Sequence, residues 1–174
     1  MAPDPEIVAR LRAAVERGRV ARHRYFESIA LPDEQLQGPA ATEAQVEALE
    51  LTLKRRLPQS YRCFLLIYGQ WRMVDGGVDL LPIDELLRGP TCERHKLWQV
   101  KEAAAGDPVA GRALIIGASS VTATKYLLDP ATQRVDGEWP LIQYHHGVEA
   151  EIPSFIEWLE QSVSEYEELA SDPE

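Results

Sequence analysis

The stretch Leu57-Pro58-Gln59-Ser60-Tyr61-Arg62-Cys63-Phe64-Leu65, followed by Tyr68-Gly69, decides how this chain is read. At helical spacing Tyr61, Phe64, Leu65 and Tyr68 share one face, and Leu57 is a core residue just before it. Pro58 starts the helix, because the first turn has no intrahelical use for an amide donor. Gly69 is placed to end it in a left-handed conformation and to turn the chain into a sheet. These eleven positions predict a short buried helix delivering the chain to β structure.

Working toward the N-terminus, Thr42-Glu43-Ala44-Gln45 is a capping box ahead of the apolar stripe Val46, Leu49 and Leu53. Asp4-Pro5-Glu6 is a second helix start, with Ile7, Val8, Leu11 and Val15 at helical spacing. Tyr25, Phe26 and Ile29 resume that stripe beyond Gly18, where a kink or a break is expected. Leu31-Pro32 and Gly38-Pro39 bound a polar linker. The expected organisation is therefore an N-terminal helical extension over 1–38, an α+β domain over 39–170, and a tail over 171–174.

Toward the C-terminus, Gly76-Gly77 reads as a turn into a strand from Val78 to Leu81, and Pro82 opens a helical turn that ends at Gly89-Pro90. Thr91 is the expected cap of a helix running toward Ala105. Ala113 to Ile116, Val121 to Leu128 and Trp139 to Tyr144, separated by Asp129-Pro130 and Asp136-Gly137, make residues 112–152 an antiparallel meander. Ser154 with Glu157 forms a last capping box, opening a helix whose buried stripe is Phe155, Leu159, Val163 and Tyr166, with Trp158 beside it. Helices, then sheet, then helix define an α+β class with a central antiparallel sheet and an acidic C-terminal helix.

The 174 residues are enough to bury roughly 70% of the unfolded chain's surface without a staple or a metal. Apolar stretches are too short for a membrane span, the first residues do not resemble an export signal, and the two cysteines form no disulfide framework, so a reduced cytoplasmic protein is expected. The formal charge of −10 is uneven: residues 149–174 hold nine acidic and no basic side chains. Residues 7–26 hold Arg10, Arg12, Arg17, Arg19, Arg22 and Arg24 against only Glu16. One reading is two solvated helix faces; another is that the basic first helix docks on the acidic last one.

Reaction chemistry is not visible. Cys92 and His95 make a two-ligand fragment with no second pair, and His145-His146 ends a strand where neighbouring side chains diverge, so no metal site is expected. His23 stands apart from both. Gly117-Ala118-Ser119-Ser120 lacks the second glycine of a nucleophile elbow, and no phosphate loop or dinucleotide fingerprint exists. Asp84-Glu85 and Glu167-Glu168 are adjacent on helices and diverge, which suits surface acidity better than paired catalysis. No catalytic, cofactor or metal residue is assigned, and the acidic chain is not expected to bind nucleic acid directly or to engage a membrane.

The order of these signals resembles the SUKH superfamily, which joins fungal cell-wall-synthesis regulators of the Smi/Knr type to bacterial immunity proteins. The resemblance rests on the Leu57 to Gly69 signature, Leu80-Leu81-Pro82-Ile83-Asp84-Glu85-Leu86, the Leu114 to Asp129 strand pair, and Ser154-Phe155-Ile156-Glu157-Trp158-Leu159. It covers about residues 42–168. Tyr68 stands where the family usually has Asn, and Ala118-Ser119-Ser120 replaces a glycine-containing turn with an acidic residue. The resemblance implies a non-enzymatic immunity protein that occludes the active site of a cognate toxin, commonly one that processes nucleic acids. The alternative it implies is an intracellular regulatory scaffold. An acidic surface suits a toxin cleft built for phosphates. Two groups are the expected contacts: a rim of Trp71, Asp75, Asp79, Asp136, Glu138 and Trp139, and Glu160, Glu165 and Glu168 on the last helix. For the two tryptophans, capping the sheet edge is the competing reading. Monomer and homodimer both remain open.

Overall fold

The computed structural model describes residues 4–28, 38–75, 77–119 and 121–171. Ile29, the Leu31-Pro32 linker, Gly76, Ser120 and residues 172–174 of the tail lie outside the described residues. The elements are α1 (Pro5–Ser28), α2 (Glu43–Leu53), α3 (Gln59–Ile67), β1 (Trp71–Asp75), β2 (Val78–Leu80), α4 (Ile83–Leu87), α5 (Pro90–Ala104), β3 (Leu114–Ser119), β4 (Lys125–Leu128), β5 (Leu141–Tyr144), β6 (Val148–Ile152) and α6 (Phe155–Ser171). The strands form one six-stranded antiparallel sheet in sequential order, so every strand pairs with its chain neighbours. The fold is α+β, with the meander extending one strand beyond each side of the expected set.

Local chemistry explains most boundaries. The Thr42 hydroxyl accepts from the Gln45 amide, and the Gln45 side chain accepts from the Thr42 amide at 2.9 Å, a complete capping box. Gly69 has φ +69°, and a Cβ there would lie 2.0 Å from the Pro39 carbonyl oxygen, so only glycine lets the chain turn against the segment that leads into α2. The start of α5 differs from expectation: Gly89 occupies the cap and Pro90 the first turn, one step before Thr91. At α6 the Ser154 hydroxyl accepts from the Glu157 amide, while the Glu157 carboxylate turns away to Arg134.

Each sheet face carries its own apolar cluster. Val78, Leu80, Ile116, Tyr126, Leu128 and Leu141 face α1, α2, α3 and α6 in the larger core. Ile115, Leu127, Ile142 and Tyr144 face Ala110, Ala113 and Trp98 of α5 in the smaller one. This alternation is the two-residue period of the strands.

The first helix is continuous, which corrects the expected kink at Gly18. Gly18 is a close-approach residue: a Cβ would lie 2.7 Å from the Trp71 ring and 2.8 Å from Val163. Leu11, Ala14 and Val15 of α1 join the same apolar cluster as α3 and α6. Arg22 is buried, donates to the Arg72 carbonyl and lies over the Phe26 ring at 5.0 Å. The solvated arginine face therefore applies to only part of that helix.

Candidate partner-binding surface

The two flanks of α6 differ. At about 100° per residue, Glu160 and Glu167 lie on one side of its buried stripe, and Glu165 and Glu168 on the other. Arg10 donates to both Glu160 oxygens at 3.0 and 2.7 Å, and Arg17 donates to both Glu167 oxygens at 2.9 and 2.5 Å. The pairs are seven residues apart on each helix and ascend together, so α1 and α6 run in parallel and meet every second turn. Arg17 holds the Glu167 carboxyl below its ordinary value. These are partly exposed pairs, worth roughly 0.2–1 kcal/mol each, and their geometry fixes register more than stability. The expected docking of the basic helix on the acidic one is seen at these two pairs.

Among the described residues the opposite flank has no such ion pairs. Glu165 and Glu168 are exposed, and neither has an ion-pair partner among the described residues. Asp75, at the end of β1, accepts a short hydrogen bond from the Tyr126 hydroxyl. Partial burial, and then the negative charges of Asp75 and Glu168, push the Glu165 carboxyl above its ordinary value. Apolar side chains are interleaved with these carboxylates. Leu169, one turn beyond Glu165, is 50% exposed, and Met73 is 37% exposed. Met73 has φ +49° where the β1–β2 register shifts, a bulge that aims its side chain out of the sheet. The Tyr166 hydroxyl donates to the Met73 carbonyl at 3.3 Å and ties the bulge to α6.

The expected contact residues therefore divide. Asp75, Glu165 and Glu168 come together, with Asp79 on the adjoining strand receiving the Met73 amide at 2.7 Å and facing Arg72 at 3.8 Å. Glu160 is corrected from a free contact to the partner of Arg10. Trp71 and Trp139 are corrected from an exposed rim to the core, at 3% and 1% exposure. The Trp71 ring fills the space that Gly18 leaves open. Glu138 is also buried, and it accepts from the Ser60 amide at 2.9 Å and the Ser60 hydroxyl at 2.5 Å. It is the N-terminal acceptor of α3, a helix whose own cap residue, Pro58, has no side-chain acceptor to offer. Asp136 receives the Glu138 amide and pairs with Arg134, which also reaches Glu157 near the start of α6. That end lies roughly 16 Å along the helix from Glu168. Met73 and Leu169 were missed; Leu169 follows the acidic run Glu165, Glu167 and Glu168, whereas Met73, between Arg72 and Val74, carries no such signal.

The other chemistry-bearing side chains have structural roles. The Ser119 hydroxyl accepts from the Val121 and Thr122 amides and shapes a turn. His145 Nδ1 lies 3.1 Å from the Thr124 hydroxyl, and His146 takes φ +57° in the turn before β6. Cys92 is buried and its thiol meets the Leu86 carbonyl. His95 lines a cleft of about 220 Å³ with Leu49, Leu53 and Gln99. Burial, with Lys125 and Arg94 adding to it, lowers the His95 pKa to about 4, so the ring is neutral near pH 7. Among the described residues no three metal-capable side chains converge, and no helix is long and apolar enough to cross a membrane.

The chain runs from short helix through glycine turn and six-stranded meander to a closing helix, and residues 40–161 match the family model described as SMI1 / KNR4 family (SUKH-1). The chain belongs to the SMI1/KNR4 (SUKH-1) family. No curated protein matches it. The SUKH-1 match takes in the α3 signature, the whole sheet and the first part of α6. Helix α1, which covers one flank of α6, precedes the match.

Proposed function

We propose that this SUKH-1 protein is an immunity protein that binds one toxin domain and blocks its active site, without chemistry of its own. The observation that carries the reading is the carboxylate flank of α6, where Glu165 and Glu168 have no ion-pair partner among the described residues, on a fold whose family includes toxin-immunity proteins. A toxin acting on nucleic acid must hold phosphates with cations, and an acidic protein can occupy that cleft in place of substrate. Affinity in such a pair comes from a few buried anchors, while the charges mainly set approach rate and orientation. The protein acts in the compartment where the toxin would otherwise act, which places it in the cytoplasm.

The test is growth rescue. Toxin-like domains found in the genes flanking this one are expressed alone and together with this chain, and flanking genes without such a domain count against the proposal. Restored growth with a stable one-to-one complex supports the proposal. Absence of rescue, with capture of several unrelated cellular regulators, refutes it in favour of a regulatory scaffold of the same family.

A further inference from the structure

The two flanks of α6 pose the same chemical problem, and among the described residues only one of them is matched by cations of the chain itself. On the α1 side, carboxylates spaced by whole turns meet arginines on a parallel helix, while apolar side chains pack between the helices. On the other side, Glu165 and Glu168 stand one turn apart, with Glu165 facing the charge of Asp75, Met73 and Leu169 exposed, and no cation paired to either glutamate among the described residues. Helix α1 cannot serve both sides, because Gly18 and Arg17 hold it against the first. From this asymmetry we infer that Met73 and Asp75 of β1, with Glu165, Glu168 and Leu169 of α6, are the docking surface for an amphipathic helix of the partner protein, one that carries arginines a turn apart beside leucine-like side chains.

The match is chemical and geometric. Arginine presents a planar fork suited to carboxylates, and side chains three or four residues apart on a helix stand on one face, as Glu165 and Glu168 do. Methionine adapts its shape to an apolar neighbour, and the β1 bulge holds Met73 outward to receive one. Desolvation under a docked helix strengthens the charge pairs relative to the open surface. This inference deepens the proposed function and rests on the protein being a binder, but its test uses no toxin.

The probe is an alanine-rich synthetic helix with two arginines and two leucines on one face. It is titrated into the full isotope-labelled chain at low salt, with amide shifts followed by NMR. The expected result is a contiguous set of shifts at Met73, Asp75, Glu165, Glu168 and Leu169. The variant E165Q/E168Q weakens binding about tenfold, and replacing the peptide arginines by glutamine has a similar effect. The variant E149Q/E151Q removes the same net charge from the exposed strand β6 and leaves binding within about twofold. The inference is overturned by shifts centred on another surface, such as Leu97 and Val100 of α5. No binding at millimolar peptide, or equal weakening in the two variants, overturns it as well. Rescue from a toxin that survives E165Q/E168Q unchanged would remove this surface while leaving the immunity reading in place.

Discussion

Replacing Glu138 by alanine is predicted to destabilise the protein by about 2–4 kcal/mol, although the residue lies in a connection between strands. Helix α3 has only nine residues, and its cap position, Pro58, supplies no side-chain acceptor. The Ser60 amide and hydroxyl are buried, and both donate to Glu138, 78 residues later in the chain. Truncation leaves a buried amide without an acceptor, which costs roughly 1–3 kcal/mol. It also removes a negative charge from a helix N-terminus, worth about 0.3–1 kcal/mol, and up to roughly 2 when partly buried. Relief of the cost of burying a carboxylate offsets part of this. Glu138→Gln keeps one acceptor and the side-chain volume, so it is expected to cost about 1 kcal/mol. The assay is urea unfolding followed by tryptophan fluorescence, with equal slopes required before the midpoints are compared. A Glu138→Ala variant within about 0.5 kcal/mol of the parent, or one no worse than Glu138→Gln, would refute the capping role.

The same residue carries a pH sign. Burial pushes its carboxyl above the ordinary 4.5, despite the two Ser60 donors pulling it down. The folded state therefore binds this proton more tightly than the unfolded state, and ionisation costs stability as pH rises from 4.5 through the folded value. The stability of the parent relative to Glu138→Gln should fall over that rise.

Three further outcomes are expected. His95, lowered from 6.5 to about 4, favours folding fully above pH 6.5 and loses that contribution as pH falls toward 4, by roughly 2 kcal/mol after allowing for partial exposure; unfolding of His95→Gln across this range should be flatter than the parent's. Gly69→Ala should cost at least about 2 kcal/mol, since it combines a left-handed backbone with a contact to the Pro39 carbonyl that cannot form; a thermal melt matching the parent's would contradict this. Glu160→Gln with Glu167→Gln should cost about 1 kcal/mol or less, shrinking in salt, whereas Gly18→Val costs about 2 kcal/mol through its clash with Trp71 and Val163; the reverse order in a denaturant series would mean that ions, not fit, hold α1.

What the sequence disclosed is what is written locally. The Thr42–Gln45 box, the left-handed turn at Gly69 and the Ser154 helix start each depend on residues within a few positions of one another, and each is legible in the sequence. Strand β1 was missed because Trp-Arg-Met-Val-Asp is interrupted by a bulge that breaks simple alternation. Gly18 carries the same propensity penalty whether it bends a helix or admits a tryptophan, and only the partner, 53 positions away, decides. Glu138 beside Asp136 reads as surface acidity until Ser60 is brought next to it by the sheet. The candidate surface was half legible for the same reason: Glu165 and Glu168 belong to a visible acidic run, but their separation from Glu160 is set by which flank α1 covers.

The parallel contact between α1 and α6 also imposes a schedule on synthesis. The partner of the first helix leaves the ribosome roughly 130 residues later, a wait of about 6–30 s at ordinary elongation rates. Throughout it Leu11, Val15 and the Gly18 notch have no α6 to close on, so the nascent chain displays an apolar stripe that a chaperone can hold. Closure of this contact waits for α6, and slowing translation before Phe155 should lengthen the interval in which α1 is open to proteolysis.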